Sequence, residues 1–143
     1  MWMRYFAQFL DQQYARFLSE FAWNYKDDLC VVGGHDLALA TGDAAWDSYA
    51  LRYAAHLMDA EGNIQNWRAD ESNLDKVSFG KSLLILRDLT KDTKYDEAAR
   101  KVYATLTPYP RTVTGNFWHK SIYPNQVWLD GLYMGMPFYA RML

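Results

Sequence analysis

Leu37-Ala38-Leu39-Ala40-Thr41-Gly42-Asp43-Ala44-Ala45-Trp46-Asp47 lies over Leu86-Arg87-Asp88-Leu89-Thr90-Lys91-Asp92-Thr93-Lys94-Tyr95-Asp96, an offset of 49 positions (86 minus 37). Both stretches read the same way. An apolar helix ends at Thr followed by Gly or Lys. Asp43 or Asp92 then accepts the free backbone N–H groups of the next helix. An aromatic three residues further on (Trp46 or Tyr95) packs the new helix back onto the old one. Each stretch is therefore the tight turn of an αα-hairpin. Self-similarity at this period predicts stacked helical pairs.

Outward from the turns, the rest of the chain also carries helical periodicity. Residues 4–22 place Phe6, Phe9, Leu10, Tyr14, Phe17, Leu18 and Phe21 on one side. Residues 44–58 and 94–106 carry similar single stripes and predict partly exposed outer helices. Residues 30–41, 77–90 and 130–142 are apolar around more of their circumference and predict deeply buried inner helices. The stripes themselves need no role beyond core packing. A third inner helix follows Asp130-Gly131, and its own closing turn would fall near residue 140. The expectation is an all-α fold, with three αα-hairpins making about half of a ring. Residues 59–75 and 107–129 are polar, aromatic and Pro- or Gly-bearing, and each leads into an inner helix. Short turns thus sit at one end of the hairpins and long loops at the other, where function usually gathers.

Composition narrows the function. Fifteen Lys and Arg oppose seventeen Asp and Glu in 143 residues, and no basic cluster stands out, which argues against nucleic acid as a partner. No stretch approaches the apolar length of a membrane span. Cys30 is the single cysteine, so neither an intramolecular disulfide nor a thiolate zinc cluster can form. The N-terminal stretch lacks a signal-peptide core, giving a cytoplasmic expectation. There is no HExxH, CxxC, GxSxG, P-loop or GxGxxG pattern. No metal or other cofactor is expected.

Carboxylates and aromatics remain, and together they suit sugars: rings cover C–H faces and acids move protons. The densest run, residues 115–134, holds Trp118, His119, Lys120, Trp128 and Asp130 ahead of the third inner helix. Asp130 stands among Trp128, Leu129 and Leu132. Burial there would disfavour its charge and suit a general acid; capping its helix is the plainer role. Asp75 holds the equivalent place before the second inner helix, with the same two readings. If the hairpins stack in parallel, both carboxylates open at one end. Trp128, His119 and Lys120 would line that mouth, with Lys120 able to meet a substrate carboxylate.

These residues resemble glycoside hydrolase family 105, the unsaturated rhamnogalacturonyl hydrolases, related to the family 88 unsaturated glucuronyl hydrolases. The resemblance runs through Trp23-Asn24-Tyr25, Thr41-Gly42-Asp43, Asp59-Ala60-Glu61-Gly62-Asn63-Ile64, Asn73-Leu74-Asp75 and Phe117-Trp118-His119-Lys120 to Tyr123-Pro124-Asn125-Gln126-Val127-Trp128-Leu129-Asp130-Gly131-Leu132-Tyr133-Met134. It implies an (α/α)6 barrel, of which residues 1–143 would be the N-terminal portion. It implies removal of an unsaturated uronic acid from the non-reducing end of lyase-generated pectic oligosaccharides, by hydration of the C4=C5 bond, without a cofactor. Carried over, Asp130 is the general acid/base, Asp75 its partner carboxylate, and Trp128, His119, Lys120 and Tyr25 line the substrate pocket. Two stretches depart from the family pattern. Lys26-Asp27-Asp28 stands where Glu-Asp-Gly is usual, and Lys76-Val77-Ser78-Phe79-Gly80 stands where an Asn-Pro-Gly type is common. Half a ring would also expose inner-helix surface, which self-association would cover. The alternative to an enzyme is a truncated, inactive helical-repeat module that binds or scaffolds.

Overall fold

The structure, a computed structural model, describes residues 2–21, 24–59 and 62–143. Trp23, Ala60 and Glu61 of the quoted motifs lie outside the described residues. Among the described residues, seven helices follow in order: α1 (Trp2–Glu20), α2 (Tyr25–Thr41), α3 (Asp47–Leu57), α4 (Leu74–Val77), α5 (Gly80–Thr90), α6 (Lys94–Ala104) and α7 (Leu129–Met142), with a 3-10 turn at Ala44–Trp46 before α3. None is long and apolar enough to cross a membrane.

The repeated turns are alike atom for atom. Gly42 and Lys91 both adopt the left-handed conformation (φ 70° and 60°), and each N–H donates back into its helix, to Ala38 O and Arg87 O at 2.9 Å. The Thr41 and Thr90 hydroxyls donate to Leu37 O and Leu86 O at 2.7 Å, closing orphan carbonyls of the last turn. The Asp43 and Asp92 carboxylates accept from Ala45 N and Lys94 N at 3.0 Å. Trp46 and Tyr95 are buried behind them. The sequence repeat is thus a repeat of hydrogen-bond chemistry, and it folds α2 onto α3 and α5 onto α6.

Helices α2, α5 and α7 form the inner layer and run side by side in one direction. Asp28 near the start of α2 meets Ser78 and Ser82 around the start of α5. Lys81 of α5 meets Tyr133 near the start of α7. At the far end, Arg141 of α7 reaches Asp88 of α5 at 3.7 Å. At Gly80 a Cβ would lie 2.6 Å from the Phe138 ring; only a bare Cα lets α5 and α7 meet there.

Burial of the inner helices differs from expectation. Gly80 to Leu86 is buried throughout, as predicted. On α2 and α7 only one side is covered: Leu39 is 70% exposed, and Tyr133 is also exposed. The cause is position. The middle helix α5 has an inner neighbour on both sides, whereas α2 and α7 each have one. The α1 stripe is likewise broader than its footing. Leu10 and Phe17 are buried, with Phe17 packed 4.8 Å from the Tyr53 ring, while Phe9 and Leu18 remain exposed.

Among the described residues, the two long loops are tied by three isolated antiparallel bridges, Met58–Ile64, Asn73–Lys120 and Arg111–Phe117. The second bridge joins the loop before α4 to the loop before α7, and it builds the site.

Candidate active site

Asn73, not Asp75, caps α4: its side chain accepts from Asp75 N at 3.0 Å. That leaves the Asp75 carboxylate free of the helix end. The Asn73–Lys120 bridge sets the two loop segments side by side, reinforced by Leu74 N donating to His119 O (3.0 Å) and Ser121 N donating to Ser72 O (2.8 Å). Lys120 Nζ thereby arrives 2.7 Å from Asp75 Oδ2. His119 Nε2 stands 3.8 Å from Asp75 Oδ1. The pair is mostly buried, so solvent screens it less than a surface ion pair.

Asp130 does not cap α7 either. It lies in the first turn, where its Oδ1 accepts from Gly131 N at 2.8 Å. One carboxylate oxygen of Asp130, one of Asp75 and a ring nitrogen of His119 all lie within 4.8 Å of one another. Parallel stacking therefore does bring both carboxylates to one mouth. The setting of Asp130 differs from expectation: it is exposed, and so are Trp128, Leu129 and Leu132 beside it. Its apolar neighbours in sequence are themselves exposed and do not enclose it. The three donors could approach a cation, yet the Lys120 ammonium already holds Asp75 and would oppose one. The same set suits handling of protons.

His119 is buried, and its Nδ1 has no hydrogen-bond partner. A Cβ on Gly131 would lie 2.8 Å from that Nδ1, so the missing side chain at 131 makes room for the imidazole. Trp128 lies nearly parallel to His119 (centroids 4.2 Å, 11°) and to Tyr123 (5.1 Å, 17°). Both rings therefore cover indole surface that a sugar would otherwise stack on. Its Nε1 is engaged by Gln126 Oε1 at 2.9 Å. Tyr25 opens α2, half-buried against the core, and the contacts that gather Asp75, His119, Lys120, Trp128 and Asp130 do not include it.

Sequence reasoning did not single out the polar cluster close by. Asp28 is wholly buried and accepts from Ser78 Oγ (2.6 Å) and Ser82 Oγ (2.8 Å), with Lys81 Nζ at 3.0 Å. Burial pushes its carboxyl up, against the pull of Lys81 and the two hydroxyls. Lys81 also donates to Tyr133 O and sits 4.1 Å over the Tyr133 ring. The legible signal was a pair of acids, Asp27-Asp28, opening a helix otherwise apolar on most sides, since buried charge demands a partner.

The family description Glycosyl Hydrolase Family 88 matches residues 1–143. Among solved structures, a family 105 glycoside hydrolase of C. acetobutylicum ATCC 824 is similar, with a TM-score of 0.77 and 31% identity. That similarity covers 88% of this chain and 36% of the other, so the chain spans little more than a third of that protein's length. The helical hairpins are those of a partial (α/α) barrel. The whole-chain family match and the shared helical layers together answer the question raised by the motifs: the chain belongs to Glycosyl Hydrolase Family 88.

Proposed function

We propose that this chain supplies the acid/base part of a glycoside hydrolase site. Its substrate is an unsaturated uronic acid at the non-reducing end of lyase-generated rhamnogalacturonan oligosaccharides. Residues 1–143 would be the N-terminal portion of a longer (α/α)6 domain, a reading supported by their 36% share of the family 105 relative. The carrying observation is the division of labour between the two carboxylates. Asp75 is bound to the Lys120 ammonium, whereas Asp130 faces solvent within 4.8 Å of it. Asp75 is thus already engaged by a cation, and Asp130 is the carboxylate left open to reach a substrate.

In this scheme Asp130 gives its proton to C4 of the enol ether, and positive charge develops at C5, shared with the ring oxygen. Water adds to C5, and its proton returns to Asp130. The resulting hemiketal opens at the bond between C5 and the ring oxygen. The C1 hemiacetal left behind then expels the neighbouring sugar as an alcohol. Asp75 with Lys120 holds the substrate and the local charge. A cytoplasmic setting is part of the proposal.

Loss of the ultraviolet absorbance of the unsaturated uronate in lyase-digested rhamnogalacturonan tests this. Turnover that falls by about two orders of magnitude or more in Asp130→Asn is the expected outcome for an acid/base group. Absence of turnover both here and in a longer chain carrying this segment would leave the inactive binding module as the better reading.

We also propose self-association. Leu39 on α2 and Leu129 on α7 (87% exposed) offer apolar side chains on the two uncovered inner helices. Light scattering should give a mass above 16.7 kDa that returns to it in Leu39→Glu; a wild-type monomer would refute the idea.

A further inference from the structure

Beyond the acid cluster, residues 111–117 form a sharp hairpin. Arg111 and Phe117 bridge, Thr112 N donates to Asn116 O at 2.8 Å, and Gly115 (φ 89°) makes the reversal. The Arg111 guanidinium is fixed twice. Nη1 donates to Gly115 O at 2.8 Å, and the group lies 3.8 Å over the buried Phe117 ring. A carbonyl and a ring orient this cation without neutralising it. It stays exposed and keeps donors to spare, because a guanidinium carries five N–H groups.

The hairpin and the first turns of α7 enclose a cleft, lined by Arg111 and Asn116 on one wall and by Val127, Trp128, Gly131 and Leu132 on the other. Gly131 directly follows Asp130, and Trp128 stacks on His119, so the cleft adjoins the acid cluster. One wall is a preorganised cation beside an amide; the other is half-open apolar surface. That combination matches a sugar acid, whose carboxylate pairs with a guanidinium through two parallel hydrogen bonds while its C–H face rests on apolar side chains.

We propose that this cleft is a further sugar subsite, for the next carboxylate-bearing residue along the leaving side of the cleaved bond, and that Arg111 selects it. The proposal rests on the hydrolase reading above for its place in the reaction, though not for its binding chemistry.

Two saturated probes test it: trigalacturonate, and the same trimer with its carboxyl groups reduced to alcohols. Neither has a C4=C5 bond, so calorimetry reads binding alone. Wild type should bind the acid trimer at least tenfold more tightly than the reduced one. Arg111→Gln should bring that preference to about twofold or less, and Arg111→Lys should restore part of it, with the helical circular dichroism of each variant unchanged. An unchanged preference in Arg111→Gln, or no preference in wild type, overturns the proposal. Arg111-dependent binding without turnover of unsaturated substrate would overturn the hydrolase reading and leave the subsite standing. Turnover with Arg111-independent binding would do the reverse.

Discussion

Ser78 Oγ donates to Asp28 Oδ2 at 2.6 Å, across 50 positions of sequence and out of reach of solvent. The two residues come from the two stretches, 26–28 and 76–80, that depart from the family pattern. In the folded chain those departures are one event: an acid on α2 and a hydroxyl before α5 satisfy each other, with Lys81 balancing the charge. Lys81→Met should leave Asp28 buried without its cation, costing about 3–5 kcal/mol in urea unfolding. The double variant Asp28→Leu/Lys81→Met should recover much of that loss. A double variant as unstable as Lys81→Met alone would contradict this.

Asp27, next door, pairs with Arg16 at 2.8 Å, yet burial outweighs that pull and pushes it up to about 6. The folded chain therefore takes up this proton at higher pH than the unfolded chain, whose value is near 4. The stability tied to it is fully present below pH 4 and is lost as pH rises through 6. Between those limits the contribution falls by about 3 kcal/mol. The stability difference between wild type and Asp27→Asn, followed by denaturant titration from pH 4 to 7, should change by that order. A difference independent of pH would refute the assignment.

Gly131→Ala would set a methyl 2.8 Å from His119 Nδ1 and 3.2 Å from a Leu74 methyl. The imidazole cannot yield without disturbing its stack on Trp128. We expect a loss of about 1–3 kcal/mol in thermal or urea unfolding. Any turnover should fall with it, since the displaced ring is a neighbour of both carboxylates.

Lys91 occupies the left-handed position that Gly42 fills in the other copy of the turn. A side chain there is strained, while glycine is not. Lys91→Gly should stabilise by about 0.5–1 kcal/mol after the entropy that glycine adds to the unfolded chain. Gly42→Ala should destabilise by a similar amount. Paired melting curves decide both.

The turns were legible because their information is local. Thr41, Gly42, Asp43 and their counterparts act on atoms within four residues, so the letters alone imply the geometry. The gathering of Asp75 and Asp130 was legible through the hairpin logic that follows from those turns. What surrounds them was not. The exposure of Asp130 depends on which side of α7 is uncovered, and apolar neighbours in sequence misread it. The stacking of Trp128 with His119 and with Tyr123, and the pairing of Lys120 with Asp75, follow from a bridge between two irregular loops that carries no periodic signal. Asp28 and Lys81 were hidden for the same reason, being complementary only across distant segments.

That Asn73–Lys120 bridge has a kinetic side. The α2–α3 and α5–α6 hairpins close through contacts near in sequence, which form early and at small entropic cost. The bridge must wait until two long loops have found each other, so the acid cluster should assemble last and open first. Amides of Leu74, His119 and Ser121 should then exchange with solvent deuterium through a smaller opening than those of Leu83 to Leu86, making the acid cluster the least cooperative part of an otherwise hairpin-built scaffold.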